Sequence, residues 1–146
     1  MPTPTRTTIK DAIVTAIKAD TSIASTRVYK GRYNEPTGAT MPVVYVWMQR
    51  ESSETNTLTR SRNELRTMDV AVDYWNRAAS SATLEDTFDT ACDAIKAAVC
   101  GGTGLVGVAR QDILLTSTEY LYEGDEAEPF GCARLTFTVK YFSTEP

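Results

Sequence analysis

Arg66-Thr67-Met68-Asp69-Val70-Ala71-Val72-Asp73-Tyr74-Trp75 alternates large apolar residues with small or polar ones. In an extended chain Met68, Val70, Val72 and Tyr74 share one side, and Thr67, Asp69, Ala71 and Asp73 share the other. The stretch predicts a strand with one buried and one wetter face. The end of the chain repeats the pattern: Leu135, Phe137, Val139 and Tyr141 alternate with Arg134, Thr136, Thr138 and Lys140. Two such strands predict a largely antiparallel sheet covered on one side.

The remaining segments supply the cover and the other strands. Val43–Met48 is apolar on both faces, Arg27-Val28-Tyr29 reads as a short strand stopped by Gly31, and Ile113–Tyr122 should pair with Cys132–Phe142. A first helix is expected from Thr8, with Asp11 three residues on in a capping pattern and Ile9, Ala12, Ile13, Ala16 and Ile17 on one face. A second is expected from Thr83, with Asp86 in the same relation and Leu84, Phe88, Ala91, Cys92, Ile95 and Val99 as its stripe. Gly101-Gly102 should end it. Tyr45, Trp47 and Trp75 read as core aromatics. The expected fold is α+β: a single mixed, mostly antiparallel sheet of four to five strands, in the order α-β-β-β-α-β-β, with two helices on one face. At 146 residues the chain fits one domain, 1–146, with a flexible 1–6 and a frayed 143–146.

Between Met48 and Leu65 lies a polar stretch, Gln49 to Glu64 (QRESSETNTLTRSRNE), without Pro or Gly. Structureless connections beyond about 12–15 residues are uncommon in compact domains unless functional or disordered. The expectation is a mobile arm, 49–64, that a partner orders.

Composition narrows the chemistry. There is no histidine, which removes Ser-His and Cys-His catalysis and His-ligated metals. Cys92, Cys100 and Cys132 show no metal-ligand spacing and read as small apolar residues. Gly101-Gly102-Thr103-Gly104 follows a helix and precedes no Lys-Ser/Thr, so it is a poor phosphate loop. Tyr29, Lys30, Arg32 and Tyr33 mix bases with aromatics, but one cluster in an acidic chain is no nucleic-acid footprint. No apolar run spans a membrane, and MPTPTRTTIK lacks a signal-peptide core. No enzyme activity, metal or cofactor is expected.

Charge points to self-association. Residues 1–66 carry a net +4 and residues 67–146 a net −8. If the halves expose different surfaces, the molecule is electrically two-sided, which favours head-to-tail contacts between copies; if they interleave in one sheet, the charges mix. Candidates for a subunit or partner interface are Arg50, Glu51, Glu54, Arg60 and Arg62 on the arm, Arg32 before it, and Asp69 and Asp73 on the wetter strand face. A second group, Glu123, Asp125, Glu126 and Glu128, forms an acidic hairpin tip that is either simply solvated or meets a basic surface such as the arm of another copy.

Several signatures in this order resemble the lambda-type minor tail protein U family, the tail terminators of long-tailed bacteriophages. They are Val28-Tyr29-Lys30-Gly31-Arg32, Met41-Pro42-Val43-Val44-Tyr45-Val46, the polar arm, Met68 to Tyr74, the acidic helix opening at Leu84-Glu85-Asp86, and Leu135 to Tyr141. The similarity runs from about residue 7 to 142, with longer segments here at 100–112 and in the final hairpin. It implies a structural protein of the virion that forms a homo-hexameric ring on the head-proximal end of the tail tube. Such a ring stops polymerisation and offers a surface to the head-tail connector, with genomic DNA passing through its lumen without specific binding. The protein would be in the host cytoplasm during assembly. Two alternatives stand beside it: another neck, tail-completion or head-tail joining protein, and, more distantly, a small intracellular ligand-binding domain.

Overall fold

In a computed structural model the described residues are 6–24, 27–31, 41–55, 62–101, 111–124 and 129–145, with backbone alone at 53–55, 62–65, 111–112 and 142–145. The elements are α1 (Arg6–Ala19), α2 (Thr21–Ala24), β1 (Val28–Lys30), β2 (Val43–Thr55), β3 (Arg62–Arg77), α3 (Ser81–Cys100), β4 (Gln111–Glu123) and β5 (Phe130–Glu145). They form one five-stranded sheet in the order β1-β2-β3-β5-β4. β1 runs parallel to β2, and every other neighbouring pair is antiparallel. The fold is therefore α+β with a mixed sheet, as the strand patterns predict.

Both long helices cover the same sheet face. Ile9, Ile13 and Ile17 of α1 and Leu84, Phe88, Ile95 and Val99 of α3 are wholly buried against Val44, Val46, Val70, Val72, Leu135, Phe137 and Val139. Each such side chain contributes about 1.5–3 kcal/mol relative to leaving it in water. This explains why the two helical stripes, far apart in sequence, form one layer.

The helix starts differ from expectation. α1 already includes Arg6 and Thr7. α3 is capped by Ser80, whose Oγ accepts the Thr83 N–H at 3.2 Å. Thr83 thus occupies the third helical position, because Ser80 has the extended backbone that a cap requires. A one-turn α2 follows α1 directly; the Asp20 carboxylate before it accepts from the Ser22 N–H at 3.1 Å.

The strands run past their expected ends, and this overturns the structureless 49–64 stretch. Residues 49–55 belong to β2 and 62–64 to β3, paired from Arg50↔Asp69 to Thr55↔Glu64. Only 56–61 lie outside the described residues. Ser143 to Glu145, expected to fray, pair with Glu64 to Arg62. A partner strand on each side of β3 satisfies its backbone, so polar side chains are no bar to strand structure there. β4 begins at Gln111, opposite Tyr141. Beyond that level the sheet, among the described residues, narrows to a three-stranded ribbon of β2, β3 and β5.

Candidate functional site

Among the described residues no helix covers the second face of the sheet, and its two halves differ. At the end bearing the β4–β5 turn, register places Tyr29, Tyr45, Trp47, Trp75 and Leu121 on this face. Trp47 and Trp75 are half-buried here and lie outside the helix-covered core, which corrects their reading as core aromatics. Tyr29 and Tyr45 rings lie 6.1 Å apart. Toward the ribbon the same face turns to hydroxyls: Thr138 donates to Asp69 at 2.8 Å, and Thr116 donates to the Thr136 carbonyl at 3.1 Å.

Asp73 sits at the boundary between these halves, only 3% exposed. Arg134 donates to it twice, Nε to Oδ1 at 2.7 Å and Nη2 to Oδ2 at 3.1 Å, and the Trp47 indole N–H donates at 2.9 Å. The guanidinium also lies 5.0 Å from the Trp47 ring centre, a cation–π contact. Asp73 pushes Arg134 further up from its already high pKa. A carboxylate this buried persists because its pairing is bidentate and charge-assisted. The trio forms a plate in the middle of this second face.

At the root of the ribbon, Glu51 points the other way, toward the helix layer. It pairs with Arg6 of α1, lies 3.5 Å from Arg66 and accepts from the Tyr141 hydroxyl at 3.4 Å. Gln49 causes this: the register shifts between Met48 and Arg50, so odd-numbered residues turn inward beyond it. Arg50 stays on the open face, exposed and opposite Asp69. Glu54 and Arg62 lie on the ribbon. Glu123 ends β4 at the far end of the sheet, on the order of 50 Å from Arg62 along β3 at 3.3 Å per residue. The arm and the acidic turn thus sit at opposite ends of the strands. Arg32, Arg60, Asp125, Glu126 and Glu128 lie outside the described residues.

A groove of about 430 Å³ opens between α2, the end of β3 and α3. Several of its polar groups are already engaged. Asn76 donates to the Tyr74 hydroxyl at 2.8 Å, and Thr87 and Thr90 donate to carbonyls of their own helix. Nothing in its lining converges on a reacting atom. The free Cys92 is half-buried; burial pushes its thiol up to about 11, so it stays a protonated, poor nucleophile at neutral pH. Among the described residues no group of three or more Cys, Asp or Glu could hold a metal ion, and no helix is long and apolar enough to cross a membrane.

Comparison with known proteins decides the class. The family model for tail completion protein gp17 matches residues 11–141, nearly the whole sheet-and-helix unit. The chain belongs to the tail completion protein gp17 family. Its role is that of a structural tail-completion component of a virion. A comparison with curated protein sequences gives no match. Among solved structures, a chain from the virion of a native gene transfer agent particle is similar in fold, with a TM-score of 0.58 and 17% identity over 92% of this chain and 94% of that one. The phage tail-completion class implied by the resemblance to protein U is thereby shown; membership of the U family itself is not.

The Asp73–Arg134–Trp47 plate escaped the sequence reading. Its signal was present in the alternation of Arg66–Trp75, where Asp73 is one of two carboxylates on the face that also carries Thr67, Ala71 and Trp75. Its partner lies 61 positions away, and only the β3–β5 register brings them together.

Proposed function

We propose that this tail-completion protein is a tail terminator: a homo-hexameric ring that caps the tail tube, stops its polymerisation and provides the surface for the head-tail connector. The observation that carries the reading is the difference between the two ends of the strands. One end is the three-stranded ribbon that carries Glu54 and Arg62; the other is the strand end at the acidic Glu123. A tube grows because each ring presents the surface it consumed. A terminator must match the tube on one side and present something else on the other, and unlike ends on one rigid sheet supply that.

The ribbon is the tube-directed part in this reading. Genomic DNA passes through the lumen without specific binding, which favours neutral or acidic lumen side chains. The test shortens the ribbon without touching the core. Thr55 and Glu64 are directly opposite, so an Asn-Gly link between them replaces residues 56–63 with a two-residue hairpin turn. The expected result is a folded protein, with overlong tails and no head attachment. Tails of normal length from this variant would reject the reading.

A head-tail joining protein of the neck is the second reading, favoured by the breadth of the tail-completion family description. Electron microscopy of tails lacking the protein separates the two. Overlong tubes mark a terminator, whereas tubes of normal length without heads mark a joining protein.

A further inference from the structure

β4 is the last strand of the sheet, and among the described residues nothing pairs with its outer side. It is 13 residues long and holds neither Lys nor Pro, two of the usual guards of an open edge, and its one protective irregularity is the register shift at Thr116. Leu114, Tyr120, Leu121 and Tyr122 on it are 46–62% exposed, and they occupy both faces of the strand. Apolar side chains gathered along an unpaired backbone mark a surface that a partner covers. α3 frames this edge with negative charge. Burial first, then the carboxylates of Glu85 and Asp89, push the Tyr122 hydroxyl up. Glu119 and Glu123 add charge on the strand itself.

The opposite edge has the opposite character. β1 lies there with α1 beside it, and Tyr29 is 44% exposed. Lys18 and Lys30 are exposed; Lys30 reaches Asp11 at 2.6 Å across a solvent-open pair. The sheet order thus resolves the charge asymmetry of the sequence: the two halves meet in the middle strands, but the outermost elements keep their own sign.

We propose that the β4–α3 edge of one copy seats against the β1–α1 edge of the next, with Leu121, Tyr120 and Tyr122 buried at the joint and Glu85 and Asp89 facing Lys18 and Lys30. The inference rests on the ring reading above and specifies its subunit contact. The occupant is a second copy of this chain because the complementary charge lies on the chain's own other edge. A symmetric β4-to-β4 pairing would set like carboxylates against each other. An edge-to-opposite-edge contact is heterologous and closes into a ring when its rotation permits. It leaves both strand ends free, one for the tube and one for the connector.

The experiment uses charge reversal on the full chain, with folding checked by circular dichroism and binding measured as subunits bound per purified tail-tube end. Glu85→Lys/Asp89→Lys and, separately, Lys18→Glu/Lys30→Glu should each lower bound subunits at least tenfold. A chain carrying all four changes should regain binding, because both edges are then reversed together. If the wild type loads tubes but the reversals load equally well, or the fourfold variant does not recover, the edge contact is wrong and the ring reading stands. If the wild type does not load tubes at all, the ring reading falls, and this contact with it.

Discussion

Arg134 holds together a plate that would otherwise be a liability. Its removal leaves the Asp73 carboxylate nearly fully buried, with only the Trp47 N–H as a described donor. Arg134→Met should therefore lower the unfolding free energy by about 2–3 kcal/mol, within the range for hydrogen bonds to charged groups. Urea denaturation measures it, and a change within experimental scatter would show that water replaces the guanidinium. Gly131 is a second residue with a sharp constraint. A Cβ there would lie 2.1 Å from the Leu121 carbonyl oxygen, and backbone cannot step aside as a side-chain tip can. Gly131→Ala should cost about 1–3 kcal/mol, as overpacking does. Because Leu121 lies on the proposed contact edge, the same variant should also weaken ring formation.

At the level of elements, caps and bulges decide what the strand and helix patterns leave open. Ser80→Ala should destabilise by about 1 kcal/mol through loss of its bond to the Thr83 N–H. Thermal unfolding checks it; an unchanged melting temperature would contradict the assigned start of α3. Helix α3 was legible because Leu84, Phe88, Ile95 and Val99 recur at helical spacing. β3 and β5 were legible because their alternation is unbroken. β4 was less so. Thr116 shifts its register, so Ile113 and Leu115 face the helices before the shift, and Thr118, Tyr120 and Tyr122 after it. A single extra residue reverses the face of everything beyond it. Gln49 does the same in β2, and so Glu51, read as an interface candidate, points instead at Arg6 and Tyr141.

For the molecule as a whole, titration should destabilise at high pH. Cys92, Tyr74 and Tyr141 all hold their protons more tightly when folded, in each case chiefly because burial penalises the charged form. The folded state then binds more protons than the unfolded one above pH 9, so stability falls as pH rises through that window. For Cys92 the contribution is complete below its ordinary value of 9.0 and lost by about 11. Melting temperature should be flat up to pH 9 and decline above it, with a shallower decline in Cys92→Ala. An identical slope in that variant would assign the alkaline loss to the tyrosines and Cys100, whose thiol burial also pushes up.

The sequence by itself determined the layer plan. Periods of two and of 3.6 are local properties, so Met68 to Tyr74, Leu135 to Tyr141 and the two helical stripes announce a sheet with one covered face before any contact is known. What required the tertiary structure was adjacency. Which strands are outermost, where a bulge turns a side chain over, and that Asp73 meets Arg134 all follow from pairing between distant segments. Hydrogen-bond register between strands is set by the whole sheet and leaves no trace in the spacing of residues along one strand.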